Sequence, residues 1–387
     1  MALSEATQSR RSRGRLGRRR GGWHGVSAVE GAPGDPAGAP PGSSDVGDVD
    51  GPIRSRGVRL VVAAGWLVAG VAAATVGLTV LGSAPMAVRV AAVAAGAWAA
   101  YRGVRSAGRA LFGNGWDAAL GLSATWIVVV VASAVVAPLL PLGEHRDTAA
   151  TIAEPSLLRP DLGSEHPLGT NNLGLDELAR VIYGARASLL MALVASSIGL
   201  LVGGAIGVVA GTRRGWVDRA LSTANNAFLA FPPLVLLLAF ASVMERDARN
   251  IALALGALSI PVNLRLARAN AMAVAQEGYV EAARVMGASR GRILLREVVP
   301  NVLPPLLSYA LIVMAVLLVA EASLSYLGLG VQQPDPSWGN MMAEGDGGLL
   351  EEHPHLVVVP GGVMFATVLA FNLVGERLRQ RWDSRGA

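Results

Sequence analysis

Long blocks of apolar residues dominate the chain from residue 59 onward. Because an α-helix rises about 1.5 Å per residue, an uncharged run of about 20 residues is long enough to cross a bilayer. The predicted spans are 59–82, 86–101, 118–140, 187–211, 220–243, 250–269, 303–326 and 356–376. The second run is short and carries Arg89, so residues 86–101 either cross the membrane or form an interfacial helix. The pattern predicts an all-α integral membrane protein.

Residues 1–57 differ from the rest, since they are rich in Arg, Gly, Pro and Ser and have almost no apolar periodicity. This composition predicts a disordered tail. Its basic run between Arg10 and Arg20 resembles a nucleic-acid-binding arm or the start of a signal peptide. Its position ahead of a span instead favours a cytoplasmic tail attracted to anionic lipid. A long polar stretch before the first span argues against a cleavable signal.

The distribution of arginine predicts the topology. With the N-terminus inside, 25 of the 33 arginines fall in predicted cytoplasmic segments and seven in predicted external ones. This bias follows the positive-inside rule and explains the sequence pI of about 10.3 without a nucleic-acid partner. Both termini and residues 270–302 are therefore predicted to be cytoplasmic, in a multi-pass protein of the plasma (inner) membrane.

Composition excludes several kinds of chemistry. The chain is 52% hydrophobic and 16% charged, and it contains neither cysteine nor lysine. It therefore has no disulfide, no thiolate metal site, no cysteine nucleophile and no Walker A lysine. We predict that the chain is not an enzyme and holds no metal or cofactor, so any ATP and Mg²⁺ must be bound by another chain.

One charged segment, 276–300, lies between two apolar runs on the predicted cytoplasmic side. Good helix formers continue to residue 286, and Glu281 and Arg284 have the spacing of an i,i+3 ion pair. Gly287 fits the left-handed position that follows a helix. The pattern predicts a helix that ends in a sharp turn, although an amphipathic loop lying on the inner leaflet is the alternative.

After the turn, the pattern predicts a second short helix. Ser289 can cap this helix, which would run through Leu295, and Pro300 is tolerated near the start of the next span. Two short helices held at an angle make a rigid knob. The small side chains of Ala282 and Ala283 would allow close approach to a partner.

The spacing of Glu281, Ala282, Ala283, Gly287 and Pro300 resembles the signature loop of permease subunits of binding-protein-dependent ABC importers. Other motifs, in the same order along residues 118–382, resemble the dipeptide/oligopeptide/nickel permease family. They are 166–170 (HPLGT), 182–189 (IYGARASL), 215–218 (GWVD), 230–233 (AFPP), 321–330 (EASLSYLGLG), 336–339 (PSWG) and 370–375 (AFNLVG).

The resemblance implies a six-helix permease core over 118–382, with one or two extra N-terminal transmembrane helices before it. It implies a second permease subunit as partner, two cytosolic ATPase subunits that bind ATP, and an extracytoplasmic solute-binding protein. The solutes would be di- or oligopeptides or related small molecules. Residues 277–296 would be coupling helices that transmit ATPase closure to alternating access. The implied coupling residues are Glu281, Ala282, Ala283, Gly287, Ser289 and Pro300.

Two features depart from the family pattern. Asn171 stands where an acidic residue is usual, and Leu175 stands at the arginine position of a usual Gly-Arg-Asp. A charge pair of the external segment 141–186 is therefore missing. The other departure is the added N-terminal region, in which residues 58–110 are predicted to form a transmembrane hairpin. Two added spans preserve the orientation of the core.

Polar side chains within the predicted spans have two interpretations. A carboxylate in lipid is costly, which makes Glu321 a candidate for solute contact, whereas the resemblance favours a helix-packing role. The asparagines either line a translocation path or join helices by hydrogen bonds, and joining is preferred. They are Asn225, Asn226, Asn263 and Asn372. Pro232 and Pro233 predict a kink.

Two other functions stay open on the residues alone. An ion-gradient-driven secondary transporter would more often carry paired carboxylates at mid-membrane, or repeated halves. A membrane scaffold or enzyme would need a cluster of His, Asp or Glu at one membrane face. Neither pattern stands out in the sequence.

Overall fold

The computed structural model describes residues 56–75, 86–113, 117–161, 163–213, 215–346 and 348–383. This part of the chain is helical, which confirms the all-α prediction. Its helices are α1 (Arg56–Thr75), α2 (Met86–Phe112), α3 (Ala118–Val136), α4 (Glu177–Ile198), α5 (Gly204–Thr212), α6 (Trp216–Leu229), α7 (Pro233–Val243), α8 (Ala248–Val274), α9 (Gly278–Val285), α10 (Arg290–Ile293), α11 (Val299–Tyr326), α12 (Trp338–Glu344), α13 (Leu349–Glu352) and α14 (His355–Asp383). The tail predicted over 1–57 lies outside the described residues, apart from the last two, which begin α1.

Five helical segments are long and apolar enough to cross a membrane, or six if the bent pair α6–α7 forms one span. The five are 118–139, 177–212, 248–274, 290–326 and 355–382. The apolar stretch of α1, Leu60–Gly70, is shorter than a span. α2 continues past the predicted end at residue 101, because the arginines and alanines that follow are strong helix formers. Membrane crossing by residues 58–110 stays a prediction.

α1 and α2 pack closely as an antiparallel pair at positions that lack side chains. A Cβ at Gly70 would lie 2.6 Å from the backbone nitrogen of Ala100. A Cβ at Gly103 would lie 2.7 Å from Cγ of Leu67. The two backbones can therefore approach because glycine occupies both places.

The single span predicted over 220–243 is two helices. α6 and α7 meet at an angle of 85°. Pro232 and Pro233 have no N–H and cannot continue the hydrogen-bond ladder of α6. The amide of Phe231 instead closes a short turn on the carbonyl of Phe228, at 3.2 Å. The prolines therefore break this span where a kink was predicted.

α4 and α5 form one helix that is joined by a π-turn over Gly199–Gly203. A glycine occurs every four residues on the side of this helix that faces α8. They are Gly199, Gly203, Gly207 and Gly211. A Cβ at Gly203 would lie 2.4 Å from the carbonyl oxygen of Ile260, and a Cβ at Gly207 would lie 2.4 Å from that of Leu264. The helices therefore pack backbone against backbone, as small residues at this spacing allow.

Two clusters of buried apolar side chains hold the helices together. The larger cluster includes Leu255 of α8, Leu318 of α11 and Trp338 of α12. The smaller one lies among α5, α8, α9 and α11 and takes Val280 and Ile293 from the charged segment. This second cluster anchors the charged segment 276–300 at one end of the helix bundle.

Candidate functional site

The charged segment begins with α9 and the sharp turn that the sequence predicts. Gly287 has a φ of 83° and follows the C-cap residue Met286. The amide of Gly287 donates to the carbonyl of Arg284 at 3.1 Å, and the amide of Ala288 donates to that of Ala283 at 3.0 Å. This pair of bonds is a Schellman motif. It fixes the direction in which the chain leaves α9.

The next helix starts as predicted but does not end where predicted. The Ser289 hydroxyl accepts a hydrogen bond from the backbone amide of Arg292 at 3.4 Å and opens α10. A π-turn over Leu294–Val298 then joins α10 to α11, so the second helix does not end at Leu295 but continues into the next span. Pro300 stands in the first turn of α11 and lacks the amide that a regular ladder requires, a common origin of such turns.

The inner side of the segment is firmly packed. Val280 of α9, Ile293 of α10 and Val298 of the π-turn are all buried. They pack in the same cluster as Ala267 and Ala271 of α8. Movement of α9 relative to α8 would open this cluster and expose apolar surface, so the segment and the core are expected to move together.

The outward side of the segment is exposed and partly apolar. Glu281 and Ala282 are exposed, whereas Ala283 is half-buried against the core cluster. Val285 is 83% exposed and Met286 is 80% exposed. Val285 and Met286 were not among the coupling residues predicted from the sequence, although their position just before the turn glycine could have indicated that they are exposed.

A groove of about 270 Å³ lies next to these residues, between the end of α9 and the helix that begins with α10. Ala283, Met286, Arg292 and Glu297 are among its walls. Among the described residues, the predicted ion pair between Glu281 and Arg284 does not form, and neither side chain makes another polar contact. The Glu281 carboxylate is therefore available to a partner.

One further ion pair ties the bundle together near the charged segment. Arg268 of α8 binds Asp218 of α6 in a bidentate manner, with Nη2 of the arginine 2.8 Å from Oδ2. Asp218 closes the motif 215–218, and Gly215 just before α6 has a φ of 117°. The motif thus turns the chain into α6 and connects α6 to α8.

The other end of the bundle contains a buried charged network. Arg180 of α4 is fully buried and pairs with Glu344 of α12. Its Nη1 donates to the carbonyls of His145 at 3.2 Å and Pro334 at 3.1 Å. Burial raises the pKa of Glu344, whereas the Arg180 charge and the hydrogen bond from Asn171 act in the opposite direction. The network joins segments that are far apart in the chain.

The two positions of the external segment that depart from the family pattern, Asn171 and Leu175, lie within or beside this network. Asn171 is fully buried and its Nδ2 donates to Oε2 of Glu344 at 2.8 Å. Its Oδ1 accepts from the amides of Leu173 and Leu175, both at 2.9 Å. Leu175 is fully buried as an apolar side chain. The region is thus ordered around an amide and a leucine in place of the usual charge pair.

Three of the motifs meet at Glu321, which is fully buried near the end of α11. Its carboxylate accepts hydrogen bonds from the hydroxyls of Ser188, at 2.8 Å, and Ser325, at 2.7 Å. The indole N–H of Trp338 donates to the carbonyl of Val181 at 3.1 Å. Ser188 lies in α4 and Ser325 lies one turn further along α11, so both contacts of the Glu321 carboxylate are with helix side chains and its geometry is that of a packing residue.

The four asparagines differ in burial and in hydrogen bonding. Asn263 is buried and donates to the carbonyl of Ser259, four residues earlier in the same helix, at 2.9 Å. Asn372 likewise donates within its own helix, at 2.9 Å. Asn225 is buried and its neighbour Asn226 is exposed. Among the described residues, neither Asn263 nor Asn372 forms the predicted helix-joining bond, because the NH2 group of each donates to the i−4 carbonyl of its own helix.

Comparison with known proteins gives a consistent answer. The family model described as "Binding-protein-dependent transport system inner membrane component" matches residues 203–385. The glutathione transport system permease protein GsiD of Pectobacterium atrosepticum is 35% identical over 57% of this chain and 73% of its own length. The dipeptide transport system permease protein DppC of Alkalihalophilus pseudofirmus is 31% identical over 65% of this chain and 81% of its own.

Among solved structures, an inward-facing MetNI methionine ABC transporter chain aligns with a TM-score of 0.45 at 21% identity. The alignment covers 53% of this chain and 97% of that one. This chain covers most of the length of both sequence relatives. Their similarity favours a permease subunit of an ABC importer over a secondary transporter and over a membrane scaffold or enzyme. The chain belongs to the family of inner membrane components of binding-protein-dependent transport systems, and it is a multi-pass inner membrane permease subunit of an ABC importer.

Proposed function

We propose that residues 276–300 couple ATPase subunits in the cytosol to the helices of this permease. The supporting observation is that two apolar side chains, Val285 and Met286, project from a charged and rigid turn whose inner side is buried. Exposed apolar surface rimmed by polar residues marks interaction sites. Glu281, which forms no ion pair within the described part of the chain, adds a fixed charge at the same surface.

The mechanical part of the proposal rests on helix continuity. The helix that starts at Arg290 runs without interruption to Tyr326, so a displacement of its outer turn moves a membrane-spanning segment. Closure of the ATPase pair would push the Schellman turn and its attached helices as one body, and the spans would switch access between the two sides. ATP and Mg²⁺ belong to the ATPase chains, and this chain does no covalent chemistry.

The first experiment compares Gly287→Val with Gly291→Val in the assembled importer. Gly287 has a φ of 83°, which a β-branched residue adopts only with strain. Gly291 lies four residues away, in α10, with open space around its Cβ position. Gly287→Val is expected to reduce solute-driven ATPase activity and uptake several-fold, whereas Gly291→Val transports nearly normally. Equal uptake by both assembled complexes would contradict the coupling role.

A second experiment uses the absence of cysteine from the chain. Ala282→Cys introduces a unique thiol on the proposed docking surface, and Ile152→Cys introduces one at a residue that is 84% exposed on the predicted external segment. We expect Ala282→Cys to cross-link to an ATPase subunit and to react with an impermeant maleimide only from the cytosolic side. Ile152→Cys should react only from outside. The reverse pattern would refute the proposed cytoplasmic position of both termini.

We further propose that the solute is a di- or oligopeptide or a related small molecule, because GsiD and DppC are named for glutathione and dipeptide transport. A second permease subunit would complete the pathway, and a solute-binding protein would deliver the solute. Uptake of a labelled dipeptide by the complete importer should be competed by unlabelled peptides and not by free amino acids or sugars. Competition only by a non-peptide solute would contradict this assignment.

A further inference from the structure

An arginine–indole cluster lies on the N-terminal helix pair, outside the part of the chain that matches the family model. The guanidinium carbon of Arg102 lies 4.7 Å from the ring centre of Trp98 and 5.4 Å from that of Trp66. The two indoles meet edge to face, with their centres 5.9 Å apart. The electron-rich ring faces attract the cation and hold it in place. Arg102 is nevertheless exposed, so a ligand can reach its N–H donors.

The cluster continues into a stripe of arginines. Arg105 and Arg109 follow Arg102 at the i+3 and i+7 positions, so the three residues share one face of α2. Arg105 is exposed and Arg109 is half-buried. Arg102 reaches Trp66 of α1, whereas Arg105 lies away from α1, because the α2 residues that pack there, Ala100 and Gly103, are on another face.

The same face changes character in the other direction. Ala91, Ala95 and Trp98 precede Arg102 at helical spacing and are all exposed. Residues 90–101 contain no charged side chain. One face of α2 therefore passes from apolar to aromatic to cationic along its length. This order matches the acyl region, the interface and the phosphate level of a membrane leaflet, where indoles concentrate at the interface.

We propose that this face, formed by Trp66, Trp98, Arg102 and Arg105, binds the headgroup phosphate of an anionic phospholipid. A guanidinium offers a planar pair of N–H donors that matches two phosphate oxygens, and the indoles orient the Arg102 guanidinium before the lipid arrives. The exposed apolar part of α2 provides the adjacent contact for acyl chains. Negative lipid in the cytoplasmic leaflet supplies the complementary charge.

The test measures lipid selectivity of the full-length chain in its assembled complex. Spin-labelled phosphatidylglycerol and phosphatidylcholine are added separately, and the motionally restricted fraction of each is compared. Arg102→Gln/Arg105→Gln is expected to lose the preference for phosphatidylglycerol, by about fivefold for each arginine removed. Arg246→Gln/Arg249→Gln is the matched control, since it removes the same charge from two exposed arginines elsewhere and should retain the preference. Equal preference in the two double variants would overturn the proposal.

Further variants and a competition experiment distinguish the phospholipid from other ligands. Arg102→Lys/Arg105→Lys conserves charge but not the planar donor pair and should give an intermediate preference. This variant, together with Arg105→Gln alone, keeps the test informative if the double glutamine variant fails to fold. Displacement of the lipid by excess inorganic phosphate would identify a free anion as the ligand and overturn the lipid assignment. The arginine-to-glutamine double variant could instead lose the second permease subunit and keep its lipid preference. That result would make this face a subunit interface and would also overturn the lipid assignment.

Discussion

Replacement of Gly207 by alanine tests whether α5 and α8 pack backbone against backbone. The new Cβ would lie 2.4 Å from the carbonyl oxygen of Leu264, 2.7 Å from Cβ of Ala267 and 3.0 Å from the amide nitrogen of Arg268. An ordinary carbon–oxygen contact lies at about 3.3 Å, so the helices must separate locally by about 0.9 Å. No change of rotamer relieves this overlap, because two of the three atoms belong to the backbone.

The expected magnitude follows from two opposing contributions. Overpacking of a tight interior costs about 1–3 kcal/mol. Alanine recovers about 1 kcal/mol of helix propensity relative to glycine. Gly207→Ala should therefore lower the free energy of unfolding by about 1 kcal/mol. Gly204→Ala is the matched control, since its nearest atom would be Cδ1 of Leu306 at 3.8 Å and it gains propensity without a clash.

The assay heats the detergent-solubilised complex and measures the monodisperse fraction by size-exclusion chromatography at each temperature. Gly204→Ala should lose its monodisperse fraction at or above the wild-type temperature, and Gly207→Ala should lose it a few degrees below. The order of the two variants is the informative result, because both carry the same change in composition. If Gly207→Ala is as stable as Gly204→Ala, the close approach of α5 and α8 is incorrect.

Glu344→Gln leaves the buried guanidinium of Arg180 without its counter-charge and should cost about 3–5 kcal/mol, so an unchanged unfolding midpoint would contradict the buried pair. Trp338→Phe removes the indole N–H that donates to a carbonyl of α4, and a midpoint equal to that of the wild type would refute the expected loss of about 1 kcal/mol. Backbone hydrogen bonds, that of Asp147 foremost, lower the pKa of Glu144, so this carboxylate stabilises the fold above its unfolded pKa of about 4.3. That contribution to stability is lost as pH falls through the lower pKa of the folded state. The unfolding midpoints of the wild type and Glu144→Gln should therefore converge at acid pH. A constant difference between the two midpoints across the titration would contradict a stabilising role of the Glu144 carboxylate.

The turn at Gly287 and the cap at Ser289 could be predicted because each depends on residues within one or two helical turns. A left-handed position after a helix requires glycine, and a hydroxyl before a helix accepts from the next free amide. The π-turn that joins α10 to α11 could not be predicted in this way. It depends on packing of Ile293 and Val298 against α8, which favours one continuous helix with a π-turn over two separate helices.

The glycine face of α4–α5 was present in the spacing of the sequence, but that spacing names no partner. Glycines four residues apart indicate that some helix can approach closely. Contact with α8 in particular is decided by the fold. The asparagines show the opposite limitation. Membrane burial alone favours bonds between helices, whereas the NH2 groups of Asn263 and Asn372 donate to their own i−4 carbonyls.

The helical membrane class, the family resemblance and the local form of the charged turn could all be derived from the order of the amino acids. Apolar run length, charge bias and capping are properties of neighbouring residues, and one chain displays them directly. The hydrogen bond between Asn171 and Glu344, which are 173 residues apart and lie beside a buried Arg180, results from the packing of the folded chain. Such a contact has no local signature, since it exists only when packing removes water from groups that the chain order keeps far apart.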